Sequence, residues 1–107
     1  MASSILCYPE ARGALAAALR SRRLDAVGHE RASREFESLH GELLLVGIDG
    51  LLARQAAELA EQLGLRGYDA VHLASALALG TDTTFVSWDD ELRRAAARSG
   101  CAVAPAV

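Results

Sequence analysis

Two cysteines, Cys7 and Cys101, are all the thiols this chain has, and their spacing fits no zinc-binding or redox motif. Both sit among apolar neighbours, where a free cysteine behaves as a small hydrophobe. Aromatic residues are scarce, and no apolar run reaches the ~18 residues of a membrane span. No charged-then-apolar leader resembles a signal peptide, so a cytoplasmic protein is expected. Lysine is absent altogether: all eleven basic residues are arginine, and alanine is abundant, a bias of GC-rich codons more than of function. A formal charge of −3 provides no global field attracting nucleic acid. Arg12, Arg20, Arg22 and Arg23 cluster early, as a solvated helix end or a local phosphate patch. What remains is an ordinary globular composition, 51% apolar and 23% charged, over a length that suits one small domain, residues 1 to 107.

The apolar pattern alternates between short runs and helical repeats. Residues 9 to 21 read as a helix, with Pro9 at an early position and Ala14, Leu15, Ala18 and Leu19 on one face. Asp25 is placed to cap a second helix running to about Leu39, with Gly28, Ala32, Phe36, Leu39 and Leu43 along its apolar side. Leu43 to Ile48 is a continuous apolar run whose length suits a buried parallel strand. Asp49 then caps a helix carrying Leu52, Ala56, Leu59, Ala60 and Leu63, which Gly64 ends. A very apolar helix follows from about Tyr68 to Leu79, stopped by Gly80. Thr83 to Ser87 reads as a strand, Asp90 to Ser99 as an amphipathic helix, and Cys101 to Ala104 as a last strand. Ser3 to Cys7 makes a short first strand. Strands alternating with helices predict an α/β fold with a parallel sheet and helices on both faces.

Such sheets build their sites outside the carboxyl ends of the strands. Glu10 follows the first strand, Asp69 opens a buried helix, and Asp89 directly follows Phe85-Val86-Ser87. Three acids on one rim would offer hard oxygen ligands to Mg²⁺ or Mn²⁺. A metal there can activate water and stabilise charge on a phosphodiester. Each acid also has an ordinary structural reading. Asp69 can serve its helix start, Asp89 can cap the next helix beside a Ser87-x-x-Asp90 capping box, and Glu10 suits a first helical turn. Spacing alone leaves both readings open. His72, one turn after Asp69, reads as a core or rim histidine rather than a base. Tyr68 and Trp88 flank the acids, as packing residues or as platforms for a base. Asp82 precedes its strand and belongs to the opposite end.

Three segments carry a family resemblance. Leu65-Arg66-Gly67-Tyr68-Asp69-Ala70-Val71-His72-Leu73-Ala74 resembles the "aYDalhLA" segment of PIN-domain ribonucleases, the fold of the VapC-type toxins. Phe85-Val86-Ser87-Trp88-Asp89 is similar to that family's "tfvTaD" strand end, and Tyr8-Pro9-Glu10-Ala11-Arg12-Gly13-Ala14-Leu15 to its "yvEaraaL" segment. The resemblance implies that Asp69, Asp89 and Glu10 are metal-binding, catalytic acids, with Asp90 as an alternative or outer-sphere ligand and Ser87 nearby. It implies a three-layer α/β/α PIN-like domain and a Mg²⁺- or Mn²⁺-dependent endoribonuclease. The partners it implies are RNA, a cognate antitoxin protein and a second copy in a homodimer. The family's opening strand ends in Asp-Thr/Ser-Ser/Ala, and nothing in Met1 to Cys7 matches it. The expectation is therefore a domain lacking the family's first strand and following helices. The rival expectation is a non-catalytic remnant that keeps only antitoxin-binding or self-association contacts.

Overall fold

In the computed structural model, which describes residues 1–107, the elements follow one another as strands and helices. They are β1 (Ala2–Ser4), α1 (Cys7–Arg20), α2 (Ala26–His40), β2 (Leu44–Val46), α3 (Gly50–Leu63), α4 (Gly67–Ala78), β3 (Thr84–Val86), α5 (Asp90–Arg98) and β4 (Ala102–Ala104). The chain is an α/β fold with a parallel β-pair flanked by helices. Its contacts divide it into two compact units, Met1–Leu45 and Val46–Val107. No helix is long and apolar enough to cross a membrane.

Local chemistry sets most helix ends. The Asp25 side chain accepts from the Gly28 amide at 2.7 Å, and the Asp49 side chain from the Leu52 amide at 2.8 Å. Each satisfies one of the amides that a helix start leaves without a partner. Gly64 closes α3 in the left-handed region at φ 68°, which a residue without Cβ adopts freely. α1 begins earlier than its pattern suggests, at Cys7, which places Pro9 in the first turn, where no amide hydrogen is needed.

The strands depart further from expectation. Each is three residues long, and they form two separate two-stranded sheets, β1 with β2 and β3 with β4, rather than one sheet through all four. The β3–β4 pair is parallel, in register across Thr84–Ala102, Phe85–Val103 and Val86–Ala104. The apolar run at β2 is not the buried strand its composition suggests. With β1 as its one neighbour, β2 leaves Leu44 63% exposed.

In the first unit, α1 packs on α2 without a fully buried side chain on either helix. Tyr8, Phe36 and His40 meet instead as a ring cluster, with centroids 4.8 to 5.8 Å apart. His40 thus takes the inward place that helical drift assigned to Leu39, which is exposed. Over this cluster lies a polar clamp. The Tyr8 hydroxyl donates to Glu37 Oε1 at 2.6 Å, and an Arg12 amino group donates to the same oxygen at 2.6 Å. The Tyr8 and Arg12 hydrogen bonds hold the Glu37 carboxyl below its usual range, and the Glu37 bond holds the Tyr8 phenol above its own.

A depressed carboxyl stabilises the folded state above the ordinary glutamate range and loses that effect as pH falls through its folded value. A raised phenol acts at the other end: its effect is complete below about pH 10 and fades as pH rises through the folded value. The stability difference between wild type and Glu37→Gln should therefore be level from mildly acidic to mildly alkaline pH and shrink on both sides. Denaturant titrations across pH measure it. A difference independent of pH would show that the clamp adds nothing. Because the clamp is exposed, added salt should reduce the difference throughout.

The second unit holds two apolar clusters. Leu52 and Ala56 of α3 pack on Ala70 and Ala74 of α4, with Val46, Leu59 and Val71 around them. Leu73 of α4 packs with Phe85 of β3 and with Leu92 and Ala96 of α5. Alanine at the α3–α4 contact lets the two backbones approach closely, which explains why this very apolar helix is so poor in large side chains. Cys101 borders the second cluster, and burial pushes its thiol up, so it behaves as an inert apolar group.

Candidate functional site

The two acids with the clearest sequence context both lie in the second unit, at the starts of successive helices. Asp69 stands in the first turn of α4. It does not cap that helix; Arg66 holds the cap position without a side-chain hydrogen bond. Its carboxylate instead accepts from Arg66 Nε at 3.2 Å. The Asp69 side chain is only 17% exposed, whereas Arg66 is 68% exposed. The guanidinium also lies over the Tyr68 ring, 5.1 Å from its centroid.

Asp89 ends the turn after β3 and is the N-cap of α5. Its Oδ1 accepts from the amides of Glu91 at 2.9 Å and Leu92 at 3.2 Å. The cap is therefore Asp89 itself and not Ser87, whose hydroxyl accepts from the Asp89 amide at 3.1 Å and tightens the turn. One residue further, Asp90 is paired with Arg93. Arg93 is buried, and it also donates to the Ser87 carbonyl at 2.7 Å, tying the β3–α5 turn to the helix. Sequence reasoning missed this arginine. Its only signal was its place one turn after Asp89 on an amphipathic helix.

Asp69 holds the Arg66 guanidinium directly. The Arg66 guanidinium is held protonated to a higher pH chiefly by the neighbouring Tyr68. The Asp69 hydrogen bond and charge add to this, and the Asp89 charge acts in the same direction. Trp88, between Ser87 and Asp89, is 85% exposed, so of the two readings of its place beside the acids it is not a packing residue. Tyr68 is also exposed, and His72 is half-buried.

Glu10 is exposed in the first turn of α1 and belongs to the first unit. No group of three or more His, Cys, Asp and Glu side chains is gathered so as to hold a metal ion. The chemistry of the donors nevertheless suits a hard divalent cation. Mg²⁺ characteristically takes one or two protein carboxylates and fills its shell with water and phosphate oxygens. Asp69 and Asp89, at the starts of two successive helices, are carboxylates of the type such an ion takes.

Residues 8–98 match the family model described as PIN domain. The chain belongs to the PIN-domain family. Two curated relatives extend the match. Ribonuclease VapC45 of Mycobacterium tuberculosis (strain CDC 1551 / Oshkosh) is 44% identical over 105 residues, covering 97% of this chain and 73% of the relative. Ribonuclease VapC49 of Mycobacterium tuberculosis (strain ATCC 25618 / H37Rv) has the same identity and coverage. No solved structure matches. This PIN-domain protein is thus homologous to VapC-type toxins over nearly its whole length. The residues that carried the resemblance, from Tyr8 to Leu15 and from Leu65 to Asp89, lie inside the matched span.

Proposed function

We propose that this PIN domain is the metal-dependent endoribonuclease toxin of a VapBC-type toxin–antitoxin system, acting in the cytoplasm. The observation that carries the reading is the pair Asp69 and Asp89, two carboxylates that match the family's segments and stand at the starts of successive helices in one unit. The two relatives named as ribonucleases, at 44% identity, support the same activity.

In this reading Asp69 and Asp89 are catalytic acids that hold Mg²⁺ or Mn²⁺, with Asp90 in the outer shell, and Glu10 is the further acid that the family resemblance implies. A bound divalent ion supplies Lewis-acid stabilisation of the phosphodiester and a water of lowered pKa. Asp69 is the better shielded donor, because its side chain is mostly buried. Asp89 is held in place by the amides at the start of α5, which orient one of its oxygens and leave the carboxylate attached to a rigid turn. Arg93 fixes that turn from behind through the Ser87 carbonyl. The RNA substrate, a cognate antitoxin that blocks the site and a homodimer are parts of the same proposal. So is the three-layer α/β/α form of the fold over residues 1–107.

The test is cleavage of a mixed single-stranded RNA by the purified chain with Mg²⁺ or Mn²⁺, and with the ions chelated. Cleavage that requires the ion, and is lost in Asp69→Asn, is the expected result. Clean protein that never cleaves but still binds an antitoxin or itself would favour the non-catalytic remnant.

A further inference from the structure

Arg66 is the cation that the structure sets against Asp69, one of the candidate metal acids. Its Nε lies 3.2 Å from Asp69 Oδ2, and its guanidinium rests over the Tyr68 face. The exposures of the pair are unequal. Asp69 is mostly buried and its charge needs a nearby positive partner; Arg66 is mostly in water and can leave at little cost. A divalent ion brings two charges to the same carboxylate and prefers its oxygens bare. Guanidinium and metal therefore compete for one oxygen.

We propose that Arg66 is a built-in counter-cation that occupies the Asp69 carboxylate in the metal-free protein and must be displaced for a divalent ion to bind. The inference rests on the proposed metal role of Asp69 and Asp89. It adds that the affinity of the site is set partly by a residue that is not a ligand. Tyr68 gives the displaced guanidinium a place to rest, since a cation over an aromatic face needs no carboxylate. The same pairing keeps Asp69 neutralised while no metal is bound, so α4 does not begin with an uncompensated, half-buried charge.

Calorimetric titration of Mn²⁺ into the full chain at low ionic strength tests this, with no need for cleavage. Arg66→Gln should bind Mn²⁺ about fivefold more tightly than wild type, the size expected when one partly exposed ion pair no longer has to be broken. Arg66→Lys, which keeps the charge, should stay near the wild-type value. Circular dichroism confirms that both variants are folded. Arg66→Gln binding Mn²⁺ no more tightly than wild type would overturn the proposal while leaving the metal site standing, provided Asp69→Asn weakens binding. Unchanged binding in Asp69→Asn, or no Mn²⁺ binding by wild type, would overturn the metal role itself and this proposal with it.

Discussion

Leu73→Ala should cost about 3 kcal/mol of stability. Leu73 is the largest side chain in the protein that is completely buried. It stands where α4, β3 and α5 meet, in contact with the cluster of Phe85, Leu92 and Ala96. Truncation removes the transfer free energy of three carbons and leaves a hole that its neighbours fill poorly. Two of them, Leu92 and Phe85, are themselves held on short elements with little room to shift. Urea unfolding followed by far-ultraviolet circular dichroism should give a lower midpoint with an unchanged slope. Leu77→Ala, one turn later on the same helix and partly exposed, should cost no more than about 1 kcal/mol. A Leu73→Ala loss as small as that would mean that the second cluster is loosely packed.

Asp89 is the residue where two roles can be separated by chemistry. As the N-cap of α5 it uses one carboxylate oxygen to accept two amide hydrogen bonds. Asparagine caps as well as aspartate, whereas alanine does not cap. As a metal donor it needs its charge, which asparagine lacks. Asp89→Asn should therefore keep its stability within a few tenths of a kcal/mol while metal-dependent RNA cleavage falls by about a hundredfold or more. Asp89→Ala should lose the cleavage and also about 1 kcal/mol of stability. Cleavage by Asp89→Asn at the wild-type rate would reduce Asp89 to a cap. Cleavage rates measured beside denaturant midpoints, on the same two variants, decide between these outcomes.

Features that depend on a few neighbouring residues could be read in advance. Asp25 and Asp49 cap the helices that follow them, and Gly64 ends α3, because each acts on atoms two to four positions away. The face of α3 was also readable, since Leu52 and Ala56 recur at the helical period and bury together. The places of the four strands were readable as well, but their pairing and burial were not. Leu43 to Ile48 has the composition of a buried strand, but burial depends on what lies alongside, and β2 finds only β1. Arg93 was invisible for the same reason. An arginine on an amphipathic helix ordinarily faces water, and only the path of the β3–α5 turn brings the Ser87 carbonyl within its reach. At the candidate site, the positions of Asp69 and Asp89 at helix starts were legible. That Asp69 leaves capping aside and pairs with Arg66 was not, because the cap position falls to a residue whose side chain does not cap.

The exposure of Trp88 has a practical consequence for every unfolding experiment on this protein. It is the only tryptophan, and it already sits in water when the chain is folded. Its emission should be red-shifted in the native state and change little as the core around Leu73 comes apart. A melt followed by intrinsic fluorescence would look shallow and would invite the conclusion that the protein lacks a cooperative core. The indole is instead a lamp beside Asp89, positioned to see what arrives at the turn and nearly blind to what happens inside.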